Sequence, residues 1–206
     1  MVKAVFQALR VYQWSKNLLV LAALIFAQQL FVPGQVLNAL LAFVSFCLAS
    51  SATYVFNDIM DIEKDRAHPK KRMRPLPSGA MSMAMAWFLV VALLAGSVAV
   101  ALTVRVPFLY AVLFYIALTV AYSLVLKHIV LIDVMAIALG FVARAMAGAL
   151  ALDVTFSNWL VVCTLFLAMF LGLSKRRQEL ILLEDGAHTH RQVLHHYTTQ
   201  YLDQLI

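Results

Sequence analysis

Charge is scarce in this chain: Asp, Glu, Lys and Arg make up 13% of its 206 residues, while 64% are hydrophobic. With a mean hydropathy of +0.88, that shortage excludes an ordinary soluble domain, of which about a quarter would be charged. Cysteine is nearly absent. Cys47 and Cys163 both fall in apolar runs, so they offer no disulfide framework, read as small packing residues and say nothing about redox compartment. Low-complexity segments, internal repeats and metal-type Cys/His spacings are also missing. Clustered histidines in HTHRQVLHH, residues 188–196, are more often adventitious than metal-binding. A cleavable leader is excluded as well. The start MVKAVFQALRVYQWSKN is interrupted by Gln7, Arg10 and Lys16 and lacks a small-residue cleavage site.

What is abundant is apolar length. A membrane-crossing helix needs about 20 mostly apolar residues, and six segments approach or meet that: 18–31, 36–56, 83–104, 108–126, 129–152 and 159–173. The fold expected is an all-α transmembrane bundle of six spans in one domain, 1–206. Residues 1–17 read as an interfacial amphipathic segment, with Phe6, Leu9, Tyr12 and Trp14 at headgroup level. Basic residues test the topology. Lys3, Arg10 and Lys16 precede the first span. Lys64, Arg66, Lys70, Lys71, Arg72 and Arg74 follow the second, Lys127 the fourth, and Lys175, Arg176, Arg177 and Arg191 the sixth. The alternate connections hold only Arg105. This bias places the N-terminus and every charged loop in the cytoplasm. The net charge of +6 is thereby explained by orientation, and no nucleic-acid partner is implied.

The stretch NDIMDIEKDRAHPKKRMRPLPSG, residues 57–79, concentrates ten charged residues. If the second span continues as a helix, Asp58, Asp61 and Asp65 stand at i, i+3 and i+7 and share a face. Three carboxylates in one stripe repel one another, and a divalent cation resolves the repulsion. Mg²⁺ takes hard oxygen ligands, commonly one or two carboxylates plus substrate phosphates, and Asn57 can add a carbonyl. Downstream, Arg66, Lys70, Lys71, Arg72 and Arg74 suit anionic oxygens, and His68-Pro69 and Pro75-Leu76-Pro77 fold the basic strip into a loop. A loop that only fixed topology and bound anionic lipid would explain the cations but not the acidic stripe.

Other polar residues gather at the same membrane face: Tyr122 and Lys127 end the fourth span, Asp133 opens the fifth, and Lys175, Arg176, Arg177 and Glu179 end the sixth. Tyr122 reads equally as an interfacial anchor. Arg144 lies three turns deeper than Asp133, nearly on the same face, with Gly140 and Gly148 a turn either side. A buried Arg in a span is a functional candidate; a structural ion pair or a water-filled packing defect is the alternative.

The string Asn57-Asp58-x-x-Asp61-x-x-x-Asp65, between the second and third spans, resembles the NDxxDxxxD motif of the UbiA superfamily of intramembrane prenyltransferases. Within it, DRAHPKKRMRPLPSG, the early QWSKNLLVLAAL and the later YSLVLKH are similar to the decaprenyl-phosphate phosphoribosyltransferase branch. The resemblance implies a bacterial plasma-membrane enzyme, usually of nine spans, that moves 5-phosphoribose from phosphoribosyl pyrophosphate to a polyprenyl phosphate, a cell-wall precursor step dependent on Mg²⁺. It makes Asp58, Asp61 and Asp65 metal and diphosphate ligands. Lys16, Arg66, Lys71, Arg72 and Arg74 become candidates for the donor's phosphates, and the rest of the substrate site would draw on Asn57, Tyr122, Lys127, Arg144, Lys175, Arg176 and Glu179.

Two departures matter. Prenyl-transferring members carry a second DxxxD motif after the sixth span, where this chain has Lys175-Arg176-Arg177-Gln178-Glu179. A basic replacement suits extra phosphate, and no His or Glu is dedicated to removing a ring proton, so prenyl transfer to an aromatic acceptor stands second. Further, residues 174–206 read as a cytoplasmic tail or the start of a seventh span, so the polypeptide is expected to be a fragment. Rivals from other classes are a transporter using Arg144 and Asp133, and an inactive scaffold forming homo-oligomers through Ala136, Gly140, Ala143, Ala147 and Ala151.

Overall fold

The computed structural model describes residues 2–182 and 197–206, and regular structure among the described residues is helical throughout. The order is α1 (Val2–Leu9), a 3₁₀ segment (Val11–Leu21), α2 (Ala22–Phe26), α3 (Pro33–Met60), α4 (Ile62–Ala67), α5 (Met83–Val104), α6 (Val106–Leu124), α7 (Ile132–Leu152), α8 (Asn158–Leu182) and α9 (Thr199–Leu205). Local chemistry sets several starts. Pro33 and Pro107 sit in the first turns of α3 and α6, where a missing N–H leaves no helical bond unmade. Ser82 caps α5 by accepting from the Met85 N–H at 3.2 Å.

Helices α3, α5, α6, α7 and α8 are each long and apolar enough to cross a membrane. The expected first span, 18–31, takes another form: a shorter apolar stretch, Val11–Phe26, that passes from 3₁₀ to α at Ala22. Its path is set by α7. A Cβ on Gly148 would lie 2.0 Å from the Val20 carbonyl oxygen, so the 3₁₀ backbone rests directly on α7 where no side chain intervenes. The expected last span runs on past residue 173 to Leu182. Residues 188–196, with their histidines, and Arg191 lie outside the described residues.

Helices α3 and α7 are the most buried and α8 the least. Both central helices are rich in Ala, Ser and Gly, and in lipid such residues allow close backbone approach and interhelical hydrogen bonds. Ser45 and Ser97 exchange such bonds: each hydroxyl donates to the other's carbonyl, at 3.0 and 2.9 Å, tying α3 to α5. Phe46 packs at a tilt against Phe108 and Tyr115, tying α3 to α6. The outer surface carries Phe88, Val91, Leu102, Tyr110 and Phe166, as lipid contact requires. Cys47 is buried, but Cys163, expected as a packing residue, faces outward. In the N-terminal segment Phe6 and Tyr12 are exposed as expected. Trp14 instead turns inward, where its indole N–H donates to Ser51 Oγ at 3.0 Å.

Candidate functional site

The acidic stripe is not one uninterrupted helix. Helix α3 ends at Met60, Asp61 leaves helical geometry (φ −100°, ψ 10°), and α4 resumes at Ile62. The Asp61 N–H still bonds the Asn57 carbonyl at 3.0 Å and the Asp65 N–H the Asp61 carbonyl at 2.8 Å, so the axis continues through the break. Pro69 drives His68 into extended conformation (φ −87°, ψ 130°) and ends α4. His68 Nδ1 then accepts from the Lys70 and Lys71 N–H groups at 3.1 and 3.2 Å, which turns the chain and returns Arg74 to the aspartates.

Arg74 joins two of the three carboxylates. A single guanidinium nitrogen donates to Asp58 Oδ1 at 3.0 Å and to Asp65 Oδ2 at 2.6 Å. Asp58 also accepts from Arg10 at 2.5 Å, and the Lys71 ammonium lies 3.9 Å from Asp65. Arg10 reaches this place because it adopts left-handed geometry (φ 50°) at the end of α1, and its guanidinium lies over the Tyr54 ring at 5.0 Å. Asp61 goes elsewhere. Both its oxygens accept from the Lys127 ammonium, at 2.7 and 2.8 Å, brought by the turn Leu126–His128 after α6. The expectation that three aspartates would gather around one point is therefore corrected: the break at Asp61 turns its carboxylate toward α6, while Asp58 and Asp65 converge on Arg74.

Beneath this rim lies a cavity of about 700 Å³ that Asn57, Asp61, Asp65, Tyr122, Lys127 and Arg144 help to line. A second cavity of about 810 Å³ adjoins it along α8; Lys16, His68, Lys71, Ile137, Phe141 and Lys175 border both. Arg144 sits deep, 5% exposed. Its N–H groups donate to Asn17 Oδ1, the Gly140 carbonyl and the Tyr115 hydroxyl, each at 2.8 Å, and its guanidinium faces the Tyr115 ring at 4.7 Å. The contact at Gly148 makes this possible, since it seats the 3₁₀ segment that carries Lys16 and Asn17.

Arg176 and Glu179 belong to a different assembly. Asp133, fully buried, accepts from Arg176 Nε at 3.1 Å and from the Tyr197 hydroxyl at 3.0 Å, while Arg176 also donates to Glu179 at 2.6 Å. The Tyr197 oxygen accepts from the Leu131 N–H at 2.7 Å. Burial first, and then the Asp133 carboxylate, pushes the Tyr197 phenol up to about 12. Both Arg176 and Glu179 border the 810 Å³ cavity, but Arg176 is only 3% exposed. Arg66 and Arg72 are not gathered in. Arg66 pairs with Glu63 at 3.0 Å on the surface, and Arg72 is exposed and borders neither cavity. Residues at the site that sequence reading did not count as site residues are Arg10, Asn17, Tyr54, His68 and Tyr115. Only Arg10 carried a signal, as a basic residue on the expected face.

The model of the UbiA prenyltransferase family matches residues 17–175. Decaprenyl-phosphate phosphoribosyltransferase of Corynebacterium glutamicum is 38% identical over 200 residues, covering 95% of this chain and 60% of that protein. The protein of the same name in Mycolicibacterium smegmatis is also 38% identical, covering 98% and 65%. The chain thus spans less than two thirds of either relative's length. Among solved structures, a UbiA homolog from Archaeoglobus fulgidus bound to GPP and Mg²⁺ superposes with a TM-score of 0.79 at 22% identity, covering 98% of this chain and 72% of that one.

Proposed function

This chain belongs to the UbiA prenyltransferase family, and from that membership we propose that it moves 5-phosphoribose from phosphoribosyl pyrophosphate to a polyprenyl phosphate, at a site facing the cytoplasm of a bacterial plasma membrane. The observation that carries the reading is the convergence of Asp58 and Asp65 on one positive nitrogen, Arg74, beside a cavity edged by further cations. Similarity to two proteins named for this transfer supports the choice of substrates. So does α8, which brings Lys175 to both cavities in place of a second acidic motif.

Magnesium fits the donor set. Asp58 and Asp65 are hard carboxylates drawn together by one guanidinium, which a metal would have to displace from them as it would displace Lys127 from Asp61. Among the described residues no group of three or more acidic, His or Cys side chains is placed to hold a metal by itself, and Mg²⁺ commonly completes its coordination with substrate phosphates and water. Asp58 and Asp65 would hold it, with Asp61 and Asn57 beside them. When bound, Mg²⁺ neutralises charge on a departing diphosphate.

The chain's own groups supply the rest. As the bond between ribose C1 and diphosphate breaks, its electron pair leaves with the diphosphate and positive charge grows on the sugar. Arg10, Arg74, Lys71 and Lys127 stand where fixed cations stabilise the leaving group. An oxygen of the lipid phosphate, already anionic, forms the new bond to C1, giving polyprenyl phosphoryl-ribose 5-phosphate and pyrophosphate without a proton transfer. No general base is needed. Membranes containing the protein, incubated with labelled phosphoribosyl pyrophosphate and a polyprenyl phosphate, should yield lipid-soluble label with Mg²⁺ and none with EDTA. Absence of label beside prenylation of an aromatic acid from a prenyl diphosphate would replace this reading with the aromatic one.

A further inference from the structure

Positive charge is balanced at the rim and unbalanced at the buried Arg144 and at the exposed Lys16 and Lys175 beside the cavities. Each motif aspartate is met by a cation: Asp58 by Arg10 and Arg74, Asp65 by Arg74 and Lys71, Asp61 by Lys127. Deeper down, Arg144 gives its hydrogen bonds to three neutral acceptors. Among the described residues none of Arg144, Lys16 and Lys175 forms an ion pair with a carboxylate. A guanidinium held within the bundle without a counter-ion is costly, and in membrane proteins such a group marks a ligand path. Its donated bonds to Asn17, Tyr115 and Gly140 also orient it, so its remaining N–H donors are fixed in advance of any ligand.

The surroundings suggest the shape of the missing anion. Lys16 and Lys175 stand where the two cavities meet, Arg144 borders the 700 Å³ cavity, and away from the lysines the 810 Å³ cavity continues along Leu19, Ile137, Leu167 and Leu171. A charged head with an apolar tail matches that sequence of surfaces. We propose that Lys16, Arg144 and Lys175 form a second anion seat, distinct from the aspartate loop, that binds a phosphomonoester. The phosphoryl-transfer reading above supplies two sources, the phosphate of the lipid acceptor and the 5-phosphate of the donor. The inference rests on that reading for their identity only.

Binding measured without metal separates the seat from the aspartate loop and from turnover. Purified protein in detergent with EDTA is titrated calorimetrically with farnesyl phosphate, farnesol and ribose 5-phosphate. Farnesyl phosphate is expected to bind at least tenfold more tightly than farnesol. Lys16→Gln and Lys175→Gln, whose side chains open into the cavities, should each weaken it fivefold or more while the melting temperature is retained. If ribose 5-phosphate is instead the ligand that binds and is lost in both variants, the seat stands and holds the donor's far phosphate. Two results overturn the proposal: both variants keep wild-type affinity for both monoesters, or farnesol binds as well as farnesyl phosphate while ribose 5-phosphate does not bind. Because no transfer is measured, a failed transfer assay leaves this test intact.

Discussion

Replacing Lys127 by Gln should tighten the binding of a divalent cation before any substrate arrives. Both oxygens of Asp61 are engaged by the Lys127 ammonium, at 2.7 and 2.8 Å, and the two side chains are only 20% and 11% exposed. Asp61 cannot turn to a metal without giving that contact up. Hydrogen bonds to charged groups contribute about 1.5–3 kcal/mol; allowing for the water that reaches this pair, about 1–2 kcal/mol is a fair share. At 1.4 kcal/mol per tenfold, removing the competitor should lower the Kd for metal by about 5- to 30-fold. Mn²⁺ serves as the probe, with its free fraction read by electron paramagnetic resonance. Adding pyrophosphate should reverse the advantage, because the freed ammonium is then missing from the phosphate's surroundings. Lys127→Arg, which keeps the positive charge, should resemble wild type. Mn²⁺ binding that is unchanged or weaker in folded Lys127→Gln would refute the competition between ammonium and metal.

Asp61→Asn should abolish metal-dependent transfer while the protein keeps its helical circular dichroism; full activity would remove Asp61 from the mechanism. Gly148→Ala should destabilise the bundle by about 1–3 kcal/mol, the usual cost of overpacking, since its new Cβ would meet the Val20 carbonyl at 2.0 Å. Unaltered thermal unfolding would show that the contact relaxes without cost. Tyr197, whose folded pKa is raised to about 12 above the ordinary tyrosine value near 10, stabilises the packing fully below pH ~10 and loses that contribution as pH rises toward 12. Ultraviolet titration of phenolate, compared with a Tyr197→Phe variant, should show this residue ionising last, and ionisation near pH 10 would contradict its burial against Asp133.

The long spans were legible because an unbroken apolar run has few other uses, and the boundaries of α5 and α7 fell close to those expected. The first span was not. Its geometry depends on the Val20–Gly148 contact, which joins positions far apart in sequence and leaves no local periodic trace. The aspartate spacing correctly pointed to convergence for Asp58 and Asp65, two turns apart. It said nothing of Lys127, 66 residues beyond Asp61, or of the backbone break that lets the two meet. Arg144 was visible as a charge inside a span, and the structure places it without an acidic partner among the described residues. Arg176 looked from sequence like a phosphate contact, and what could not be read was Asp133 and Glu179 closing on it. Arg10 was visible as a basic residue on the expected face, but its reach to Asp58 depends on a left-handed backbone that only the fold imposes.

The Tyr197–Asp133–Arg176 clasp has a mechanical consequence. Glu179 and Arg176 form part of a cavity wall, yet Arg176 is anchored to the same carboxylate that secures Tyr197 just ahead of α9. Tail and wall therefore work as a single latch: loosening the phenol would leave Asp133 held on one side alone, and whatever presses on Glu179 from inside the chamber would be felt at the chain's last helix.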